Sequence, residues 1–74
     1  MDKAIKFRIK ELIAERERKT GENVTYKVIH EATRISPNTL STMAQNKVKK
    51  VGISVIERLL DYFDCDVSDL IVYE

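Results

Sequence analysis

Seventy-four residues, 43% of them apolar, can bury one compact core and not two, so a single domain over residues 1–74 is expected. The one cysteine and one histidine exclude an internal disulfide and the usual four-ligand zinc site, and no Gly-rich phosphate loop or Cys-His or Ser-His-Asp arrangement supports an enzyme. The net charge of +1 hides a division: residues 1–50 hold twelve Lys or Arg against six acids, net +6, whereas residues 51–74 hold only Arg58 against six acids, net −5. A basic N-terminal two-thirds suits a polyanion such as DNA, and an acidic end would be repelled from it.

The start Met1-Asp2-Lys3-Ala4-Ile5-Lys6 has no apolar run of signal-peptide length, and no stretch approaches the roughly twenty apolar residues that span a bilayer. A cytoplasmic protein is expected, with no membrane partner. Ile5, Phe7 and Ile9 alternate with Lys6, Arg8 and Lys10 at the period of a half-buried strand, yet Ile5, Ile9, Leu12 and Ile13 also fit one helix face. Both readings of 5–9 stand at this point. From Ile9 the strong helix formers of Lys10-Glu11-Leu12-Ile13-Ala14-Glu15-Arg16-Glu17-Arg18 predict a helix ending near Lys19, where Thr20-Gly21-Glu22-Asn23 breaks it.

Thr25 is an N-cap for a short second helix, about Tyr26 to Thr33, with Val28, Ile29 and Ala32 at helical spacing. Ser36-Pro37 is a strong start signal for a third, from Pro37 to about Gln45. The hydroxyl caps, and the proline ring has the φ of the first helical position and lacks an N–H that would be unpaired there. Leu40, Met43 and Ala44 form its inward stripe, which turns Asn38, Thr39, Ser41 and Thr42 outward. Asn46-Lys47-Val48-Lys49-Lys50-Val51-Gly52 is a basic loop. Ser54 is the expected cap of a fourth helix with Val55, Ile56, Leu59, Leu60 and Phe63 inward, ending near Phe63. Val67-Ser68-Asp69-Leu70 supports one more turn, and Ile71-Val72-Tyr73 an extended tail. If 5–8 is a strand, that tail is its partner, and such a ribbon needs the helices or a second subunit beneath it.

The fold class is therefore all-α: a compact bundle of four to five short helices containing a helix-turn-helix, with room for a small two-stranded ribbon from the terminal segments. Two short helices joined by a tight turn, the second capped and offering small polar side chains, is the arrangement that reads a DNA major groove. Asn38 is the first choice for a base reader, since its amide suits a bidentate contact with adenine. Thr39, Ser41 and Thr42 follow.

Residues 5–73 resemble the small single-domain Cro and lambda-repressor-type regulators, the kind that resemble xenobiotic-response-element regulators. The resemblance rests on Lys10-Glu11-Leu12-Ile13-Ala14-Glu15-Arg16, on Ile35-Ser36-Pro37-Asn38-Thr39-Leu40-Ser41, and on Phe63-Asp64-Cys65-Asp66-Val67-Ser68-Asp69-Leu70-Ile71. It implies core roles for Ile29, Ile35, Leu40 and Met43, and a groove-facing set of Pro37, Asn38, Thr39, Ser41 and Thr42. Phosphate contacts are implied for Thr25, Tyr26 and Lys27, for Ser36 and Gln45 flanking helix 3, and for Asn46, Lys47, Lys49 and Lys50. Two positions depart from that pattern: His30 stands where a small residue, usually Ala, is expected, and Arg34 where the turn has Gly. They require a wider helix crossing or a strained turn, or leave Ala32 to supply the close contact.

The expected partner is double-stranded DNA, bound without a cofactor, and a two-fold homodimer would add to the small interface of one short helix. No small-molecule ligand is evident. The rival reading is a protein-binding module, antitoxin-like or a co-regulator, docking through the acidic end with Ile71, Val72 and Tyr73. His30 reads as a structural residue without a visible partner, and Cys65, beside Asp64 and Asp66, as a half-buried apolar residue whose pKa is raised.

Overall fold

The computed structural model describes residues 3–74; Met1 and Asp2, the first two of the domain expected over 1–74, lie outside the described residues. A short strand β1 (Ile5–Phe7) leads into five helices, α1 (Ile9–Thr20), α2 (Tyr26–Thr33), α3 (Pro37–Ala44), α4 (Ile53–Phe63) and α5 (Val67–Leu70), and the chain closes in β2 (Ile71–Tyr73). The ambiguity at 5–9 resolves into both readings in series, strand through Phe7 and helix from Ile9. β1 and β2 pair antiparallel, with Ile5 opposite Tyr73, Lys6 opposite Val72 and Phe7 opposite Ile71.

Local chemistry accounts for most element limits. α1 runs one residue past the expected end because Gly21, at φ 73°, takes the left-handed cap and donates its N–H to the Glu17 carbonyl at 2.8 Å. The Glu17 carboxylate then accepts the Val24 N–H at 2.8 Å, which draws Val24 into the core. α2 begins where Thr25 accepts the Val28 N–H, and α3 where Ser36 accepts the Thr39 N–H with Pro37 in the first turn. Ser54, however, does not cap α4. Gly52 holds the cap position, its carbonyl accepting from Val55 and Ile56, and Ser54 lies exposed in the first turn. Glycine is only a few tenths of a kcal/mol worse than serine as a cap, so the burial of Val55 and Ile56 sets the register instead.

The core joins Phe7, Ile9, Leu12, Val24, Ile29, Ile35, Leu40, Met43, Ala44, Leu59 and Leu70. α2 packs on α3 and α4, while α1 packs on α3 and α5. Four of the apolar residues in these patterns are exposed. Val28 and Ala32 face solvent, because α2 buries Ile29 and Thr33 at i,i+4; the Thr33 hydroxyl donates to the Ile29 carbonyl at 2.7 Å, so it is buried with its hydrogen bond made. Ile5 is exposed at the end of the ribbon, and Val67 is exposed in α5, where Leu70 alone points inward.

Packing and not charge holds this fold. Six side chains, Ile9, Ile29, Leu40, Met43, Leu59 and Leu70, are completely enclosed, each worth about 1.5–3 kcal/mol relative to exposure. The ion pairs among the described residues, Arg8 with Glu11 at 3.8 Å and Lys19 with Glu15 at 3.3 Å, are exposed helix pairs worth about 0.3–0.5 kcal/mol. No helix among the described residues is long and apolar enough to cross a membrane.

Candidate nucleic-acid interface

The connection from α2 to α3 is two residues, Arg34 and Ile35, before the Ser36 cap. Arg34 takes φ 67° and ψ 13°, in the left-handed region, and donates its N–H to the His30 carbonyl at 2.7 Å. The strained turn is present, and Ala32 is exposed and supplies no close contact. A left-handed non-glycine residue costs about 1–3 kcal/mol and persists only where its surroundings hold it. Here Ile35 is buried, its N–H donates to Thr33 Oγ1 at 3.2 Å, and its carbonyl meets His30 Nδ1 at 2.9 Å. Arg34→Gly should therefore stabilise the domain by about 0.5–1 kcal/mol, a rise of a few degrees in Tm on a thermal melt.

α3 is eight residues, about 12 Å of helix at 1.5 Å per residue, and its two faces differ sharply. Leu40, Met43 and Ala44 are buried, as the inward stripe required. Pro37 and Asn38 are exposed, and Thr39, Ser41 and Thr42 half-buried. Several of these groups are already engaged. The Ser36 hydroxyl donates to Thr39 Oγ1 at 3.0 Å, Thr42 Oγ1 donates to the Asn38 carbonyl at 2.8 Å, and Gln45 Nε2 donates to Ser41 Oγ at 2.8 Å. Thr42 thus shows solvent an acceptor and a methyl, and Ser41 a free O–H. The Asn38 amide has no hydrogen-bond partner among the described residues, so both its donor and its acceptor remain for a ligand.

Beyond α3 the chain is closed by Asn46 at φ 58°, with Asn46 N–H donating to Met43 and Lys47 N–H to Thr42, each at 3.0 Å, the double bond of a left-handed helix stop. The Asn46 side chain carries a long-range duty as well: its Oδ1 accepts the Phe7 N–H at 2.7 Å. The resemblance implies a phosphate contact for Asn46; its oxygen is committed to pinning this loop on β1, which leaves its NH₂ to donate. Lys47, Lys49 and Lys50 are exposed. The same bond brings in Lys6 and Lys10, which line a depression with Ala44 and Asn46, close also to Glu11 and Glu74. Nothing in the local pattern of Lys6 or Lys10 signals this, because the contact joins residues 39 apart. At the start of α2, Thr25 and Lys27 are exposed, and Tyr26 is half-buried against the core.

The acidic end gathers elsewhere. Burial, then the carboxylates of Asp69, Asp66, Asp64 and Glu15, push the Cys65 thiol above its usual range, which makes it a poorer nucleophile. A groove of about 390 Å³ beside it is lined from α1 and the α4–α5 junction, with no residue of α3 or of the 46–50 loop.

Residues 8–74 match the family model of the Cro/C1-type HTH DNA-binding domain. No curated protein sequence and no solved structure matches the chain.

Proposed function

The chain belongs to the Cro/C1-type helix-turn-helix DNA-binding family and is a DNA-binding regulator of that kind, and from that premise we propose that it reads specific duplex sequences by laying α3 in the major groove. Asn38 is the principal base reader, supported by Pro37, Thr39, Ser41 and Thr42. The observation that carries this is the free amide of Asn38 on an exposed helix whose other polar groups are largely engaged by the helix itself. The groove, about 12 Å wide, admits such a helix, and an Asn amide matches the adenine edge. Thr25, Tyr26, Lys27, Ser36, Gln45, the Asn46 amide nitrogen, Lys47, Lys49 and Lys50 bind phosphates and fix the register. The protein acts inside the cell, without catalysis of its own and without a cofactor, as a two-fold dimer whose α3 helices meet half-sites about 34–36 Å apart.

The test is selection of bound sequences from a randomised duplex pool, followed by anisotropy titration of the enriched site. Asn38→Ala should relax preference at one base pair by about 1–3 kcal/mol and leave the melting temperature unchanged. A pool that yields no enriched sequence would overturn the specific reading, and light scattering that shows a monomer on the selected site would remove the dimer. The protein-binding alternative finds less support in the fold, since Ile71 and Val72 are half-buried in the ribbon and Tyr73 alone of that segment is exposed.

A further inference from the structure

The strained turn before α3 is held from one side, and we propose that His30 and Thr33 form a brace that positions the reading helix. Both backbone polar groups of Ile35 are taken by side chains of α2. Thr33 Oγ1 accepts its N–H at 3.2 Å, and His30 Nδ1 lies 2.9 Å from its carbonyl oxygen. A carbonyl oxygen only accepts, so His30 Nδ1 carries a proton and donates it. Thr33 Oγ1 is itself anchored, donating to the Ile29 carbonyl within α2. Ile35 precedes the Ser36 cap, so fixing its peptide groups fixes the direction in which α3 leaves the turn.

The brace has a physical reason. Arg34 at φ 67° sits where a side chain is disfavoured, and without lateral hydrogen bonds the turn would relax toward another backbone region and carry α3 with it. A phosphate-binding helix start at Thr25 and a base-reading helix at Asn38 must meet one duplex together, so a change of tilt costs specific binding more than loose electrostatic binding. His30 is thus a positioning residue. It acts through Ile35, and its assignment rests on the proposed reading by α3.

His30 is the only histidine of the chain, so its ring nitrogens are resolved without ambiguity in a nitrogen-15 spectrum of the free protein. The ring is expected to bear a proton on Nδ1; a ring protonated on Nε2 with Nδ1 bare overturns the proposal. Residual dipolar couplings of the backbone amides should show α3 reoriented relative to α2 in His30→Ala, and unmoved when Arg34→Gly is added, because glycine holds the left-handed turn without a brace. On DNA, one or two lost hydrogen bonds of ordinary strength predict about a tenfold fall in affinity of His30→Ala for the selected site, with binding to a scrambled duplex unchanged. His30→Asn, whose amide nitrogen falls near the place of Nδ1, should recover to within about threefold. The double variant His30→Ala with Arg34→Gly should do likewise. Equal losses on both duplexes, or an undiminished loss in the Arg34→Gly background, overturn the brace. If no sequence is selected at all, the reading by α3 falls, and the tautomer and the helix orientation still decide on the brace.

Discussion

Leu40→Ala is expected to cost about 2–5 kcal/mol, the range for a buried leucine cut back to alanine, which widens with the cavity left behind. Leu40 is completely enclosed and lies on the inward stripe of α3 beside Met43 and Ala44. A domain of this length has about 4–11 kcal/mol of stability in all, so the variant loses a large share of it and much of the population unfolds on modest warming. Each kcal/mol corresponds to roughly 4–8 °C in Tm for a domain of this size, which circular dichroism during a thermal melt reads directly. DNA binding should fall with it, since α3 then has no base to stand on. The comparison with Asn38→Ala separates the two faces of one helix: the inner variant loses fold and binding together, the outer one loses base preference alone. A Leu40→Ala protein that melts within a degree or two of the parent would show that α3 is not seated as described.

The second large effect is on salt dependence. Lys47, Lys49 and Lys50 are exposed in the loop that follows α3, and in the proposed complex each displaces a condensed counterion from the duplex. Each phosphate neutralised contributes about 0.9 to the slope of log affinity against log salt, so changing all three lysines to glutamine should flatten that slope by about 2.7. Between 50 and 200 mM salt the parent would then lose about 40-fold more affinity than the triple variant, as titration at four or five salt concentrations measures. The loss should be equal on selected and scrambled duplexes, because phosphates carry no sequence. An unchanged slope would place the DNA away from this loop. Since the loop is anchored through Asn46 and not through its lysines, the triple variant should keep its fold.

Much of the fold is legible residue by residue where a signal and its effect are neighbours in the chain. Thr25, Ser36-Pro37 and Gly21 act within three or four residues of themselves, and the helices they bound fall where the local chemistry puts them. The stripe of Leu40 and Met43 is of the same kind, as is the half-burial and raised pKa of Cys65 among its acidic neighbours. Legibility failed where two local readings cost nearly the same. Ser54 and Gly52 are close to equal as caps, and Val28 and Ala32 fit a helical face as well as Ile29 and Thr33 do until α3 and α4 occupy one side of α2.

α3 therefore owes its limits, its cap and its two faces to the sequence alone, since these follow from hydrogen bonds and periodicity within one turn. Its setting was decided only in the folded chain. The strand at Ile5–Phe7 exists because β2 arrives to pair with it; the Asn46 side-chain oxygen is taken by the Phe7 N–H; and Arg34 stays left-handed because Ile35 is buried and held by His30 and Thr33. Each of these depends on a partner beyond the reach of local pattern, or on strain that only the surrounding packing can hold.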